Sequence, residues 1–183
     1  MKIVSSREYF RNSLIKLTVD EVLDPEGFPL TRAIVHHPGS AVVLARDGRG
    51  RILMVRQFRA PARDYLWELP AGKIDVGETA LTTARRELKE ETGFTARRWR
   101  KLVGYWASPG FLGELMNIYL AEELKEGAAT PMDDERIERR WFTVAELEAG
   151  IAGGRIVDGK TMIGLYVWKL STAAARRRIR TAK

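Results

Sequence analysis

The stretch Gly72 to Phe94, G-K-I-D-V-G-E-T-A-L-T-T-A-R-R-E-L-K-E-E-T-G-F, constrains this chain more than any other part of it. Thr79 to Thr92 is rich in strong helix formers and holds no Gly or Pro, and Gly93 follows as a stop signal. At helical periodicity Leu81, Ala84 and Leu88 form one narrow apolar stripe, so this helix lays one side on a core. Glu87 and Glu91, four apart, share a neighbouring face, with Glu90 beside them and Arg86 one turn back from Glu90. Three clustered carboxylates repel one another unless a cation sits among them. Hard divalent ions such as Mg2+ take oxygen ligands and draw further ones from substrate phosphates. The competing reading is a solvated acidic helix face laced with Arg86 and Lys89.

The same stretch fits the pattern G-x5-E-x7-R-E-U-x-E-E-x-G-U, with U aliphatic or aromatic, at Gly72, Glu78, Arg86, Glu87, Leu88, Glu90, Glu91, Gly93 and Phe94. This resembles the signature of the Nudix hydrolases, enzymes that cut nucleoside diphosphates linked to another group. The glycine-bounded frame favours the metal reading over the solvated one. The resemblance covers roughly residues 40 to 170 and implies an α/β/α sandwich with a mixed sheet.

The chain has 183 residues, 45% apolar and 30% charged, which suits one medium soluble domain, or one domain with an added arm. The division expected is an N-terminal β-rich arm over 1–38 and a hydrolase domain over 39–183. There are no cysteines, which excludes disulfides and thiolate metal sites and fits a reducing cytoplasm. The start, MKIVSSREYFRNSLIKL, has no apolar run of signal-peptide length, and nothing approaches the roughly 20 apolar residues that span a bilayer. The expectation is a cytoplasmic protein with no membrane partner. The net charge of +7 attracts anions, and much of the excess lies in Arg97-Arg98, Arg100-Lys101, Arg139-Arg140 and the tail from Arg176.

Residues 5 to 37 read as β-rich, with strands at 14–19 and 30–36 around an Asp24-Pro25-Glu26-Gly27 turn. Such a hairpin has little core of its own and must pack on its own domain or on a two-fold partner. Ala41–Ala45 and Ile52–Val55 flank Asp47-Gly48-Arg49-Gly50 and read as a second hairpin, apolar on both faces. Pro70 and Gly72 force a bend that turns the Ala71 carbonyl out of any ladder, beside the carboxylates. Ser108 to Glu114 is too rich in Pro and Gly to be regular, and Thr130 to Glu135 is a second acidic loop. Thr143-Val144-Ala145-Glu146 is a capping box, and Lys160 to Arg180 reads as a closing amphipathic helix. Alternating strands and helices of this kind make an α/β fold with a mixed sheet between helices.

The flanks of the signature resemble the ADP-ribose pyrophosphatase branch of the family, through Ser108-Pro109-Gly110 with Glu114 and through Asp133-Asp134-Glu135-Arg136-Ile137. That resemblance implies metal ligands at Ala71 (through its carbonyl), Glu87 and Glu91, with Glu90 in the cluster and Glu114 close by. It implies Mg2+, or Mn2+ in its place, as the cofactor. It places the general base at the first acidic position of the late loop, which is Asp133 here; the shorter aspartate side chain favours Glu135 instead, as base or as a further metal ligand. It puts Arg32, Arg59 and Glu68 against a small-molecule nucleoside diphosphate substrate, and it implies a homodimer in which the N-terminal arm crosses to the partner. The resulting reaction is hydrolysis of ADP-ribose to AMP and ribose 5-phosphate. A GDP-mannose or other nucleoside-diphosphate-sugar hydrolase shares every motif. A catalytically silent domain that binds RNA is the reading from another class; intact glutamates and a basic tail without aromatic interleaving argue against it.

Moving water onto phosphorus needs a carboxylate to orient or deprotonate it. Glu135→Gln should therefore cut kcat sharply while changing metal affinity less than Glu91→Gln does, and Asp133→Asn should be milder. Steady-state kinetics of the three variants decide the order, and a more damaging Asp133→Asn would move the base to the first position of the loop.

Overall fold

The computed structural model describes residues 1–129 and 136–181, with side chains as far as residue 173. In chain order the strands are β1 (Lys2–Arg11), β2 (Lys16–Leu23), β3 (Pro29–His36), β4 (Ser40–Ala45), β5 (Ile52–Arg59), β6 (Asp64–Glu68) and β7 (Ala71–Lys73). Helix α1 (Ala80–Thr92), two long strands β8 (Phe94–Ser108) and β9 (Leu112–Glu126), strand β10 (Glu138–Phe142) and helices α2 (Val144–Ala152) and α3 (Gly159–Thr181) follow. A seven-stranded mixed sheet runs β1-β2-β3-β9-β4-β7 with β8 on β9, and β10-β5-β6 form a second, three-stranded sheet.

Strand β4 is buried at every residue, and its alternation divides the core. Val42 and Leu44, with Ile118 and Leu120 of β9, face the second sheet, α2 and α3 through Met54, Leu69, Leu147 and Leu165. Ala41, Val43 and Ala45, with Tyr119 and Ala121, face α1 through Ala84 and Leu88. Helices thus cover both faces of the main sheet, as expected of an α/β/α sandwich. Helix α1 begins and ends where the sequence predicts: Thr79 caps it by accepting from the Thr82 N–H, and Gly93 closes it at φ +75°. The Thr143–Glu146 capping box opens α2.

Three local expectations need correction. The second hairpin does not extend into a ladder: β4 and β5 belong to different sheets, pair only at the bridge Arg46↔Ile52 and otherwise meet through the core. One edge of β4 is taken by β9 in parallel over Ser40↔Met116 to Ala45↔Ala121, and the start of the other by β7 in antiparallel over Ser40 to Val42. The Asp47–Gly50 turn survives, held by Gly50 N–H on the Asp47 carbonyl at 3.0 Å. The Ser108–Glu114 loop shrinks to a tight turn, since Ser108 pairs with Leu112 and the Phe111 N–H reaches the Ser108 carbonyl at 3.2 Å. Glu114 therefore stands on a strand. Finally, the arm has a strand more than the pattern showed. β1 pairs with β2 along its length yet exposes every residue, so no burial periodicity marked it.

The arm joins the main sheet through β3, whose Val35 and His36 lie parallel to Leu112 and Gly113. The same end of the sheet carries Ser40 of β4 and all of β7, which brings residues far apart in sequence to one rim.

Candidate metal and diphosphate site

The rim is assembled from α1 downwards. With Ala84 and Leu88 on the core, Glu87 and Glu91 turn toward β7 and are buried, at 9% and 5% exposure. The solvated-face reading does not hold for these two. Gly72 is the reason they fit: a Cβ there would lie 1.8 Å from Glu87 Oε1, so the carboxylate occupies the space of the missing side chain. Ala71 donates its N–H to Glu91 Oε2 at 3.2 Å. Bonds from Val43 N–H to the Pro70 carbonyl and from Ile74 N–H to the Gly39 carbonyl fix the register with Val42 opposite Ala71. In that antiparallel alternation the N–H and C=O of Ala71 both point away from β4. The expected outward carbonyl is thus produced by ladder position at a sheet edge; Ala71 itself stays within β7.

Arg86 holds the carboxylates apart. Its Nε reaches Glu78 Oε1 at 3.1 Å and its Nη1 reaches Glu87 Oε1 at 2.6 Å and Glu90 Oε2 at 3.0 Å. Its Nη2 meets Glu78 Oε2 at 3.1 Å, the Lys73 carbonyl at 3.3 Å and Asp75 Oδ2 at 3.3 Å. Arg86, with the Thr83 hydroxyl at 2.7 Å, holds the Glu78 carboxyl down at about 2 from an ordinary 4.5, and Glu78 in turn raises the Arg86 pKa.

A second charged cluster adjoins Glu91. Arg59 grips Glu68 with both prongs, Nε to Oε1 at 2.9 Å and Nη2 to Oε2 at 2.8 Å. Lys160 Nζ bonds the same Glu68 carboxylate and also Asp158 Oδ1 at 2.8 Å. Burial pushes the Glu68 carboxyl up, but the Arg59 hydrogen bond and the Lys160 charge outweigh it, and the group sits below its usual range. The Arg59 guanidinium is raised chiefly by Glu68, with Glu91 and Asp158 also close enough to act on it. Asp158 caps α3 through the Thr161 N–H at 2.9 Å, and Thr161 Oγ1 accepts from the Leu69 N–H at 2.9 Å. The start of α3 therefore clamps the Glu68–Pro70 segment that leads into β7.

Along the rim, Ser40 donates to Glu114 Oε1 at 2.6 Å. Tyr105 of β8 is pushed up to about 12 by burial, with the Asp158 and Glu114 carboxylates adding to the shift. Arg32 lies further out on β3, bonded to the Thr31 carbonyl at 2.9 Å. It lines a groove of about 330 Å³ with Ile34, Trp106 and Phe111. The structure thus brings Ala71, Glu87, Glu90, Glu91, Arg59 and Glu68 together, sets Glu114 beside them, and puts Arg32 in the adjoining groove. Asp133 and Glu135 lie outside the described residues. Sequence reasoning missed Lys160, Asp158, Thr161 and Ser40; the D-G-K-T run at 158–161 carries the helix-cap signal that leads to three of them.

Among the described residues no three carboxylates already converge on one point. The donor chemistry nonetheless fits a hard divalent cation: the groups are all oxygens, and the Asp75, Glu78, Glu87 and Glu90 carboxylates gather around the Arg86 guanidinium, with Lys73 on Asp75.

The NUDIX domain matches residues 35–161. An ADP-ribose pyrophosphatase of Bacillus subtilis is 37% identical over 94% of both chains, and one of Mycobacterium tuberculosis is 36% identical over 96% of this chain and 86% of its own. A methanol dehydrogenase activator of Bacillus methanolicus is also 37% identical, over 94% of both chains. The crystal structure of an ADP compounds hydrolase superposes with a TM-score of 0.80 at 18% identity, covering 96% of each chain, which shows a shared fold that includes the arm.

Gly72→Ala tests the rim geometry. The added Cβ meets the end of a side chain, which can swing away, so stability should change by about 1 kcal/mol or less. The displaced Glu87 should cost on the order of 10²-fold in turnover. Denaturation midpoints and kcat measured together check the split; loss of both would make Gly72 a folding residue.

Proposed function

Because this chain belongs to the NUDIX family, we propose that it hydrolyses the diphosphate bond of a nucleoside diphosphate joined to a sugar, with ADP-ribose as the preferred substrate. The observation that carries this reading is the rim itself, where a buried carboxylate pair on α1 lies beside the gripped Arg59. Such a site takes a cation and a polyanion together, as a metal diphosphate requires. Likeness to ADP-ribose pyrophosphatases over nearly the whole chain supports the choice of ADP-ribose. A divalent ion, Mg2+ or Mn2+, held by the Ala71 carbonyl, Glu87 and Glu91 with Glu90 and Glu114 near, would neutralise the diphosphate. Water adds to one phosphorus, the bridging P–O bond breaks, and AMP and ribose 5-phosphate leave; Glu135, or Asp133, takes the water's proton. Arg59, kept in place by Glu68, contacts a phosphate. Arg32 and the groove beside it take the base.

We propose further that residues 1–38 form a dimer arm. β1 is the outermost strand of the main sheet, and it presents Ile3, Val4, Tyr9 and Phe10 at half exposure or more on that edge. A second copy would cover that surface. Among the described residues no helix is long and apolar enough to cross a membrane. With no cysteine in the chain, we place the enzyme in the cytoplasm.

Purified protein with Mg2+ against ADP-ribose, GDP-mannose, NADH and nucleoside triphosphates should show the highest kcat/KM for ADP-ribose. Preference for GDP-mannose would move the base assignment, and no turnover of any would end the hydrolase reading. Deleting residues 1–38 should give a monomer or an aggregating species, with metal binding kept in the folded fraction and a raised KM. A soluble dimer with unchanged KM, seen by light scattering and kinetics, would refute the arm.

A further inference from the structure

Arg139 is part of the basic excess, and its surroundings give it a specific task. It stands on β10, and its Nη1 donates to the carbonyl of Thr92, the last residue of α1 and the neighbour of Glu91. Its Nη2 reaches Glu126 Oε1 at 3.2 Å, at the last residue of β9. The guanidinium lies 5.6 Å above the ring of buried Phe94, which meets Trp141 edge to face at 5.5 Å. Behind it the Gly127 N–H bonds the Gly93 carbonyl at 2.9 Å. The packing there is tight, since a Cβ on Gly93 would lie 2.5 Å from the Gly127 carbonyl oxygen.

One planar cation therefore ties three strands of chain: the C-terminal turn of α1, the end of β9 and the start of β10. A lysine would bring the charge and rotatable donors but not the fixed planar fork, so it would hold those acceptors in a less defined geometry. We propose that Arg139 is a positioning residue for the carboxylates of α1, acting through Thr92 and Glu126 and touching no substrate. It fixes the depth at which the last turn of α1, with Glu87, Glu90 and Glu91, enters the rim. It also holds both ends of the β9–β10 connection to that turn. The inference rests on the reading of those glutamates as a metal site.

The test uses the full chain with Arg139→Gln, Arg139→Lys and Glu126→Gln. Side chains that orient ligands cost about 10- to 100-fold in activity or metal affinity when removed. Arg139→Gln should lose kcat in that range with KM nearly unchanged, should bind Mn2+ more weakly by electron paramagnetic resonance, and should keep a cooperative melt. Arg139→Lys should recover part of both losses. Combining Arg139→Gln with Glu126→Gln should cost less than the product of the single effects, as expected of residues that act as one unit. A folded Arg139→Gln with wild-type kcat and Mn2+ affinity overturns the proposal, as does a loss of activity that only follows the unfolded fraction. Mn2+ affinity needs no substrate, so a wild-type protein that cleaves nothing in the panel but loses Mn2+ on Arg139→Gln would sink the hydrolase reading and leave this one standing.

Discussion

The Arg86 guanidinium is the interaction on which the rest of the rim depends. Two like charges about 4 Å apart repel by roughly 4 kcal/mol at the effective dielectric of a protein surface. The loop from Lys73 to Glu78 and helix α1 bring Asp75, Glu78, Glu87 and Glu90 to one place, and every group on the fork is engaged by them or by the Lys73 carbonyl. Arginine alone presents several donors in a rigid plane, so it can space the carboxylates as well as neutralise them. One positive charge, with Lys73 on Asp75, leaves the cluster negative.

The rim takes its place from β4, which has no free face and is flanked on both edges at its N-terminal end. Its odd residues hold α1, its even residues hold the second sheet with α2 and α3, and β7 and β9 flank it. Anything that protrudes from its N-terminal end is therefore framed by all three layers. Gly164 shows how closely α3 approaches, as a Cβ there would meet Leu69 Cδ1 at 2.8 Å. That contact and the Thr161–Leu69 bond fix the Glu68–Pro70 segment from the side opposite α1. The Arg59–Glu68 pair and the carboxylates of α1 thus come from different layers of one sandwich.

Local signals were legible and pairing was not. Thr79, Gly93 and the Thr143–Glu146 box act within a few residues of themselves, so the sequence alone placed α1 and α2 closely. The shared face of Glu87 and Glu91 followed from helical spacing. Their burial did not, because it depends on Gly72 leaving room across a tertiary contact. The Asp47–Gly50 turn carries the same residues whether the flanking strands pair or part, and only competition for the edges of β4 decides it. Strand β1 buries nothing and is specified by its ladder and by polar pairs such as Ser6 with Asp20 at 2.6 Å. Lys160 escaped for a similar reason: in a helix-opening D-G-K-T run it reads as a solvated lysine until β6 brings Glu68 beside it.

The charge excess bears on which class of protein this is. A single-stranded nucleic acid would need exposed rings on which bases stack, along a basic track. Here the arginines have already claimed the rings: Arg46 lies over Trp168, Arg51 over Trp141, Arg56 over Tyr65, Arg85 over Trp99 and Arg140 over Phe142. Many also hold carboxylates, as Arg46 and Arg98 hold Glu122 and Arg140 holds Glu146. Among the described residues these arginines serve as internal staples. Trp106 and Phe111, which stand 55% and 56% exposed, share one groove with Arg32. Stacking along a strand needs a row of open rings beside a basic track, and these two share their groove with a single arginine.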